Sequence, residues 1–471
     1  MGQSANRWQF WIDRGGTFTD IVGRAPDGSL HTAKLLSDNT AQYSEAAVEG
    51  IRRMLAVGAG EPIPADRIES VKMGTTVATN ALLERKGVRT ALLINRGLGD
   101  VLRIGTQQRP RLFDLQIQLP EPVYGKVVEF DGRFSVEGEE IEPLNMDRAR
   151  ADLERLLADE IRSVAIVSIH GYRYPQHEHA LAALAHELGF EQVSTSHETS
   201  QLIKLTNRGD TTVADAYLSP VLRKYVEGVR TALPGVRLLF MQSNGGLVDA
   251  NRFKGKDAIL SGPAGGIVGA ARVGIQAGFE RIIAFDMGGT STDVTHFAGE
   301  FERRLETEIA GVRICAPMMQ IHTVAAGGGS ICRFDGSRLR VGPESAGADP
   351  GPVCYRRNGP LTVTDCNVML GRLPPNFFPK IFGPSGDLPI DSDLVGERFK
   401  QISTQIGDVS PEHVASGFLK IAVENIANAI KKISVARGHD VSRYVLVTFG
   451  GAGGQHACAV ADALSMDRVF I

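Results

Sequence analysis

The stretch Asp13-Arg14-Gly15-Gly16-Thr17-Phe18-Thr19-Asp20 returns as Asp286-Met287-Gly288-Gly289-Thr290-Ser291-Thr292-Asp293. Six of the eight positions are identical, in one register, 273 residues apart. An apolar run precedes each copy, Trp8 to Ile12 in the first and Arg281 to Phe285 in the second. A second strand-like run follows each, Ile21 to Arg24 and Val294 to Phe297. Each copy reads as strand, glycine turn, strand, and the pair predicts two related α/β domains. Paired glycines let successive backbone N–H groups converge without Cβ clashes, which makes a nest for an anion. Threonine hydroxyls add donors for phosphate oxygens, and the flanking carboxylates suit Mg2+, directly or through water. A plain hairpin turn uses the same residue types; the second copy is what argues for a phosphate-binding device.

Working outward, helices and strands alternate. Helices are expected over Ala41 to Leu55, Met146 to Glu160 with Asn145 as N-cap, and His177 to Leu188 with Gly189 as stop. Thr211 to Ala232 reads as a helix that Pro220 kinks or splits. Pro234-Gly235 then breaks the chain before a strand at Val236 to Met241, and the domain boundary is placed there, giving 1–233 and 234–471. Ala325 to Pro379 reads as a long loop-rich stretch. Ser410-Pro411 opens a helix that runs through Phe418, Ile426 and Ile433 to Gly438. Tyr444 to Phe449 is a buried-strand pattern that ends in Gly450-Gly451-Ala452-Gly453-Gly454, followed by a helix at Ala457 to Leu464. Arg468 to Ile471 looks like the start of another strand, so the second domain is expected to be truncated at its C-terminal end.

Composition narrows the field. Of 471 residues 53 are glycine, about 11% against roughly 7% on average, with no collagen period. With 43% hydrophobic residues and a net charge of −3, disorder is excluded and nothing favours nucleic acid or anionic lipid. Five scattered cysteines without a CxxC pair read as reduced thiols in a cytoplasmic protein. Met1 to Phe10 lacks a signal-peptide pattern, and no run of 18 apolar residues predicts a membrane span. There is no GxxxxGK[ST], no placed GxGxxG, no GxSxG and no HExxH.

Two phosphate-type hairpins and the late glycine turn resemble the actin-like ATPase superfamily. That resemblance implies two ribonuclease-H-like α/β domains that clamp ATP. It narrows further. Ile12 to Asp20, Gly74-Thr75-Thr76-Val77-Ala78-Thr79-Asn80 onward to Arg85, Ser261 to Gly266, Phe285 to Asp293, Gly342 to Gly347 and Phe449 to His456 are similar to the hydantoinase A/oxoprolinase family. Arg103-Ile104-Gly105, Arg109-Pro110 and Leu112-Phe113-Asp114-Leu115 point to its oxoprolinase branch, and to the N-terminal, ATP-handling part of it.

The resemblance implies an enzyme that couples ATP hydrolysis to the opening of a cyclic amide: 5-oxoproline, ATP and water give glutamate, ADP and phosphate. It implies ATP and Mg2+ as cofactors, with a monovalent cation as a further candidate. A hydantoinase B-like region or subunit and a homo-oligomer are the expected partners. Gly15, Gly16, Thr17 and Gly288, Gly289, Thr290 are expected to hold phosphates. Asp13 and Asp286 are expected to hold the metal, Asp20 and Asp293 are second choices that also suit hairpin caps, and Gly450, Gly451, Gly453 and Gly454 are expected to line adenosine. For the substrate carboxylate Arg103, Arg109 and Arg111 are candidates, with surface ion pairing as the alternative. Thr76 and Asn80 either line the same site or serve as helix start and cap. His170 and His456 are either catalytic bases or structural hydrogen-bonding groups. His177-Glu178-His179 has ligand residue types, but adjacent helical positions point apart. Other readings stay open: hydantoin hydrolysis or ketone carboxylation within the family, a small-molecule kinase, or a nucleotide-gated binding protein.

Overall fold

The computed structural model describes all residues except 1–6, 17, 38–42, 107–112, 114, 117–118, 348, 379, 381 and 384–386. Thr17, Arg109 and Arg111 therefore lie outside the described residues. The chain divides into two compact units, Met1–Gly265 with Arg303–Met319, and Gly266–Glu302 with Gln320–Ile471.

In the first unit, β1 (Trp8–Arg14), β2 (Phe18–Arg24), β3 (Leu30–Leu36) and β4 (Ile68–Thr75) begin one sheet. β5 (Thr90–Asn95), β6 (Lys126–Phe130), β7 (Ser163–Val167) and β8 (Gln192–Thr195) form a separate parallel sheet. β9 (Leu238–Met241) and β10 (Leu247–Asp249) return to the first, whose order is β10-β9-β4-β1-β2-β3. Only β2 runs against β1 and β3, while β4 and β9 run parallel to β1; β10 adds an antiparallel edge. Along β1 the buried side chains are Trp8, Phe10 and Ile12, the two-residue alternation of a pleated strand with one face on a core. That core takes in Ile51 of α1 (Ala46–Met54), Met73 of β4 and Phe240 of β9.

Helices in this unit fall on the expected stretches, with two starts shifted: α1 begins at Ala46 rather than Ala41, and the helix expected from Thr211 begins at Leu205. α2 (Val77–Leu83) follows β4, and α3 (Met146–Ala158) starts where Asn145 Oδ1 accepts from Arg148 N at 3.0 Å. α4 spans Gln176–Glu187. α5 (Leu205–Ala232) runs 28 residues with Pro220 inside it, so the proline does not split it. Burial of residues such as Thr212, Leu218, Leu222 and Val229 on both sides of the proline holds the two halves in one helix.

The expected boundary at 233/234 falls inside the first unit. β9 follows that point in sequence, yet Leu238 to Phe240 pair in parallel with Val71 to Met73 of β4. Pro234-Gly235 is the short connection between a helix and a strand of one layer, which carries the same residues as a linker. The segment Arg303–Met319 also belongs to this unit, where Met319 N donates to Ser243 O at 2.7 Å and Cys315 N to Thr211 Oγ1 at 2.8 Å. The division itself falls within α6 (Ser261–Gln276). The helical segment Gly255–Gln276 is apolar enough by length and composition to cross a membrane despite its interrupting polar residues; 44% of its most apolar window is buried inside the protein.

The second unit repeats the plan. β11 (Arg281–Met287), β12 (Thr292–Ala298), β13 (His322–Val324), β16 (Val445–Phe449) and β17 (Val469–Phe470) lie in the order β13-β12-β11-β16-β17. β12 is antiparallel to its neighbours, and β16 and β17 run parallel to β11. Counted along the chain, the first five strands of each sheet read 3-2-1-4-5 with the second strand reversed, the ribonuclease-H-like order, and β10 adds a sixth to the first sheet. The stretch expected as loop instead holds a hairpin, β14 (Ser330–Phe334) with β15 (Leu339–Ser345), and the short helix α7 (Val363–Met369). A capping box between Thr362 and Asp365 starts α7 where the apolar periodicity is too short to read. α8 (Ser392–Ile406) and α9 (Pro411–Ile433) pack against each other through Phe399 and Phe418 in the unit's main core. α9 ends at Ile433, and a 3-10 turn carries the chain to Gly438. α10 (Ala457–Ala463) completes the unit.

Candidate functional site

The first hairpin closes on itself. Gly15 N donates to Phe18 O at 3.0 Å, and Asp13 faces Asp20 across the β1–β2 ladder. Gly16 is exposed at the tip. Asp20 is gripped by Lys34 Nζ at 2.6 and 2.7 Å in a solvent-exposed pair. Asp13 remains reachable from solvent, yet the protein around it raises its carboxyl pKa, with the Asp20 carboxylate adding to this and Lys34 opposing it. Backbone comes up close to Asp13: a Cβ on Gly74 would lie 3.2 Å from its Oδ1, and one on Gly262 3.6 Å. Thr76 Oγ1 donates to Arg14 O at 3.2 Å, and Asn80 Nδ2 to Thr76 Oγ1 at 3.4 Å. A Cβ on Gly16 would touch Asn80 Nδ2 at 3.4 Å. The fold thus brings Thr76 and Asn80 to the hairpin, as the first turn of α2 after the end of β4. The Arg14 guanidinium stacks over the Tyr225 ring of α5 at 5.1 Å and ties the hairpin to that helix.

The second hairpin has the same closure, Gly288 N to Ser291 O at 3.1 Å, with Asp286 facing Asp293. Gly289 and Thr290 are exposed. Burial raises the Asp293 carboxyl, against a hydrogen bond from Thr323 Oγ1 at 2.5 Å. A run absent from the expected site supports this hairpin from below. Gly328 N donates to Gly288 O at 3.0 Å and Gly329 N to Gly289 O at 2.6 Å. Thr364 in turn binds Gly328 O through its N–H at 2.7 Å and its hydroxyl at 2.9 Å. Gly327-Gly328-Gly329 was visible in sequence as a triple glycine, but its partner across the turn was not.

Gly450 stands directly behind Asp286. At φ +85° it occupies the left-handed region, and a Cβ there would lie 2.3 Å from Asp286 Oδ1. Ala452 N donates to Met287 O at 2.9 Å, so the glycine turn is fastened to the end of β11. Gly453 packs on Thr448, whereas Gly451 and Gly454 are exposed. His456 is fully buried, with Nε2 at 3.2 Å from Asn367 Nδ2. Burial, helped by Arg372, pushes its pKa down to about 4, so the ring is neutral at pH 7.

The remaining candidates separate. Arg103 lines a cavity of about 490 Å3 in the first unit, together with Tyr124, Asp210 and Arg313; Thr76 and Asn80 do not line it. His177 Nε2 meets Glu140 Oε1 at 2.8 Å. Glu178 is buried and accepts from Ser168 N at 2.8 Å and His197 N at 3.0 Å, with His197 Nδ1 at 2.6 Å. His170 is half-buried, and that burial lowers its pKa. Cys315, Cys332, Cys354 and Cys366 are buried and free, and Cys458 is exposed and free.

Residues 9–189 match the hydantoinase/oxoprolinase N-terminal region, and residues 208–471 match hydantoinase/oxoprolinase. The chain belongs to the hydantoinase/oxoprolinase family. It is 43% identical to 5-oxoprolinase 1 of Arabidopsis thaliana over 98% of this chain and 40% of that relative. With 5-oxoprolinase of Saccharomyces cerevisiae the values are 43%, 98% and 39%. The chain therefore spans about two fifths of the length of these family members. The crystal structure of ATP-dependent caprolactamase from Pseudomonas jessenii aligns with a TM-score of 0.80 and 31% identity, covering 98% of this chain and 68% of that one. Nucleotide-free acetone carboxylase aligns with a TM-score of 0.81 and 25% identity over the same shares.

Proposed function

We propose that this chain is the ATP-handling part of a 5-oxoprolinase. The observation that carries the reading is the duplicated hairpin: two Asp-x-Gly-Gly-Thr turns, closed by the same hydrogen bond, each at the end of the first strand of a 3-2-1-4-5 sheet. Relatives described as 5-oxoprolinase, 41 to 43% identical over this whole region, support the choice of reaction.

A lactam resists water because its amide is resonance-stabilised. Transfer of the γ-phosphoryl group of ATP to the lactam oxygen converts that oxygen into a leaving group. Water adds to the ring carbon, C–N cleavage opens the ring to leave a γ-glutamyl phosphate and a free amine, and a second water displaces the phosphate, so that glutamate, ADP and phosphate are the products. The protein's part in phosphoryl transfer is positioning and charge stabilisation. Gly15, Gly16 and Thr17, with Gly288, Gly289 and Thr290, hold phosphate oxygens through backbone N–H groups and hydroxyls. Gly450, Gly451, Gly453 and Gly454 line adenosine. Thr76 and Asn80 present polar groups beside Gly16 to the reacting end of the lactam, and Arg109 stays the candidate for its carboxylate, since Arg103 lines a cavity that Thr76 and Asn80 do not.

Asp13 and Asp286 hold Mg2+ or its waters, with Asp20 and Asp293 behind them. The fit is chemical: these are hard oxygen donors, and burial raises the Asp13 and Asp293 carboxyls, with the Asp20 carboxylate adding to the rise at Asp13. When bound, the metal neutralises charge on the phosphate oxygens. A monovalent cation, a homo-oligomer, a cytoplasmic setting and a hydantoinase B-like region that completes hydrolysis belong to the same proposal.

A second reading keeps the ATP chemistry and changes the carbonyl, as the likeness to caprolactamase and acetone carboxylase suggests. ADP release with 5-oxoproline, caprolactam, hydantoin and acetone, with and without a hydantoinase B-like partner, separates the two. Stimulation by 5-oxoproline above the others supports the first reading, and stimulation by another member of the panel supports the second.

A further inference from the structure

We propose that Ser37 and Thr364 are positioning residues that aim the two glycine hairpins at the phosphates of ATP. The choice of ATP rests on the proposed function; the hydrogen bonds stand without it. In each unit the chain that leaves the third strand of the sheet braces the hairpin. Ser37, just past β3, donates its hydroxyl to Gly15 O at 2.7 Å. Past β13, Gly328 N donates to Gly288 O at 3.0 Å and Gly329 N to Gly289 O at 2.6 Å. Thr364 of α7 holds this second brace, binding Gly328 O through its N–H at 2.7 Å and its hydroxyl at 2.9 Å. The repeat reaches back to the same segments. Its last threonine, Thr19 in one copy and Thr292 in the other, is fully buried. Thr19 Oγ1 lies 3.0 Å from Ser37 Oγ, and Thr292 Oγ1 donates to Ala326 O. A plain hairpin turn needs neither contact, and both copies make both.

A trans peptide points its C=O and the following N–H in opposite directions. Holding Gly15 O on Ser37 therefore turns the Gly16 N–H away from that brace. Holding Gly288 O and Gly289 O turns the N–H groups of Gly289 and Thr290 together away from the triple glycine. None of these three N–H groups donates to another described residue, and Gly16, Gly289 and Thr290 are exposed. Adjacent N–H groups turned to one side make a concave donor pair for an anion. The second brace lies flat on the turn because it carries no side chains: a Cβ on Gly327 would lie 2.7 Å from Gly289 O, and one on Gly329 2.9 Å from it. Ser37 and Thr364 thus act through the hairpins. Their hydroxyls fix which way the glycine carbonyls face, and the carbonyls fix which way the N–H groups face.

Titration calorimetry of the chain with ATP and Mg2+, and separately with adenosine, tests this. Ser37→Ala and Thr364→Val each remove one bracing hydroxyl. Each is expected to weaken ATP by about tenfold while the affinity for adenosine holds. Thr364→Ser keeps the hydroxyl and is expected to restore the affinity for ATP. Unfolding midpoints without ligand show which variants are folded, and if one is not, the variant in the other hairpin decides. Unchanged ATP affinity in a folded variant overturns the proposal for its hairpin. Equal losses for ATP and adenosine overturn it as well, because a general loosening of the fold would not single out the phosphates. A wild-type chain that binds ATP no better than adenosine counts against the ATP-handling reading and takes the proposal with it. A wild-type preference for ATP that both folded variants keep removes the braces and leaves that reading standing.

Discussion

Asp286 shows how one side chain can be fixed by residues from several elements. It sits at the end of β11, opposite Asp293, with Gly450 against Oδ1 and Gly266 close to Oδ2. Asp286→Asn preserves that shape and removes the charge, so ATP turnover should fall by about 100-fold or more while the unfolding midpoint holds. Asp20→Asn should cost much less, because Lys34 already occupies that carboxylate. Equal losses in the two would contradict the assignment. Gly450→Ala places a methyl where Asp286 Oδ1 lies 2.3 Å away, at a positive φ, and should destabilise the protein by more than about 1 kcal/mol in urea denaturation. His456 sets a pH dependence. Its pKa drops from 6.5 to about 4 on folding, so the unfolded chain binds more protons between those values. Stability should be full above pH 6.5 and fall by up to about 3 kcal/mol as the pH drops through 4. His456→Gln should flatten that slope, and an unchanged slope would show that another group causes it.

At the scale of elements, α9 is the clearest case of sequence specifying structure. Ser410 Oγ accepts from His413 N at 3.2 Å, Pro411 takes the first helical position, and Phe418, Ile426 and Ile430 face the core. Ser410→Ala should cost about 1 kcal/mol. Phe418→Ala should cost about 3–5 kcal/mol, and a loss below 1 would mean that the packing is misread. Caps, periodic apolar faces and the duplicated turns were legible because each is local. The hairpin of β14 and β15 was not, since its glycines, prolines and charges hide a pairing between distant residues. Of the two outcomes expected at Pro220, a kink or a split, the split does not occur, because residues on both sides of it are buried in one helix. The site divides likewise. Both hairpins could be read directly, whereas the support of Gly288 by Gly328 joins residues 40 positions apart.

For the whole molecule, the 3-2-1-4-5 sheet built twice is the feature that makes the duplication functional rather than decorative. Each copy presents its glycine turn at the same place on the same topology. The boundary shift, from 233/234 to a division inside α6, follows from β9 completing the first sheet and leaves the duplication intact. The central claim is that these turns couple ATP to lactam opening. The most direct measurement is the ratio of ADP to glutamate formed from 5-oxo-L-proline by this chain joined to a hydantoinase B-like partner. One ADP per glutamate, with neither product when ATP or 5-oxoproline is omitted, is the expected result. Glutamate formed without ATP, or ADP release that 5-oxoproline does not change, would contradict it.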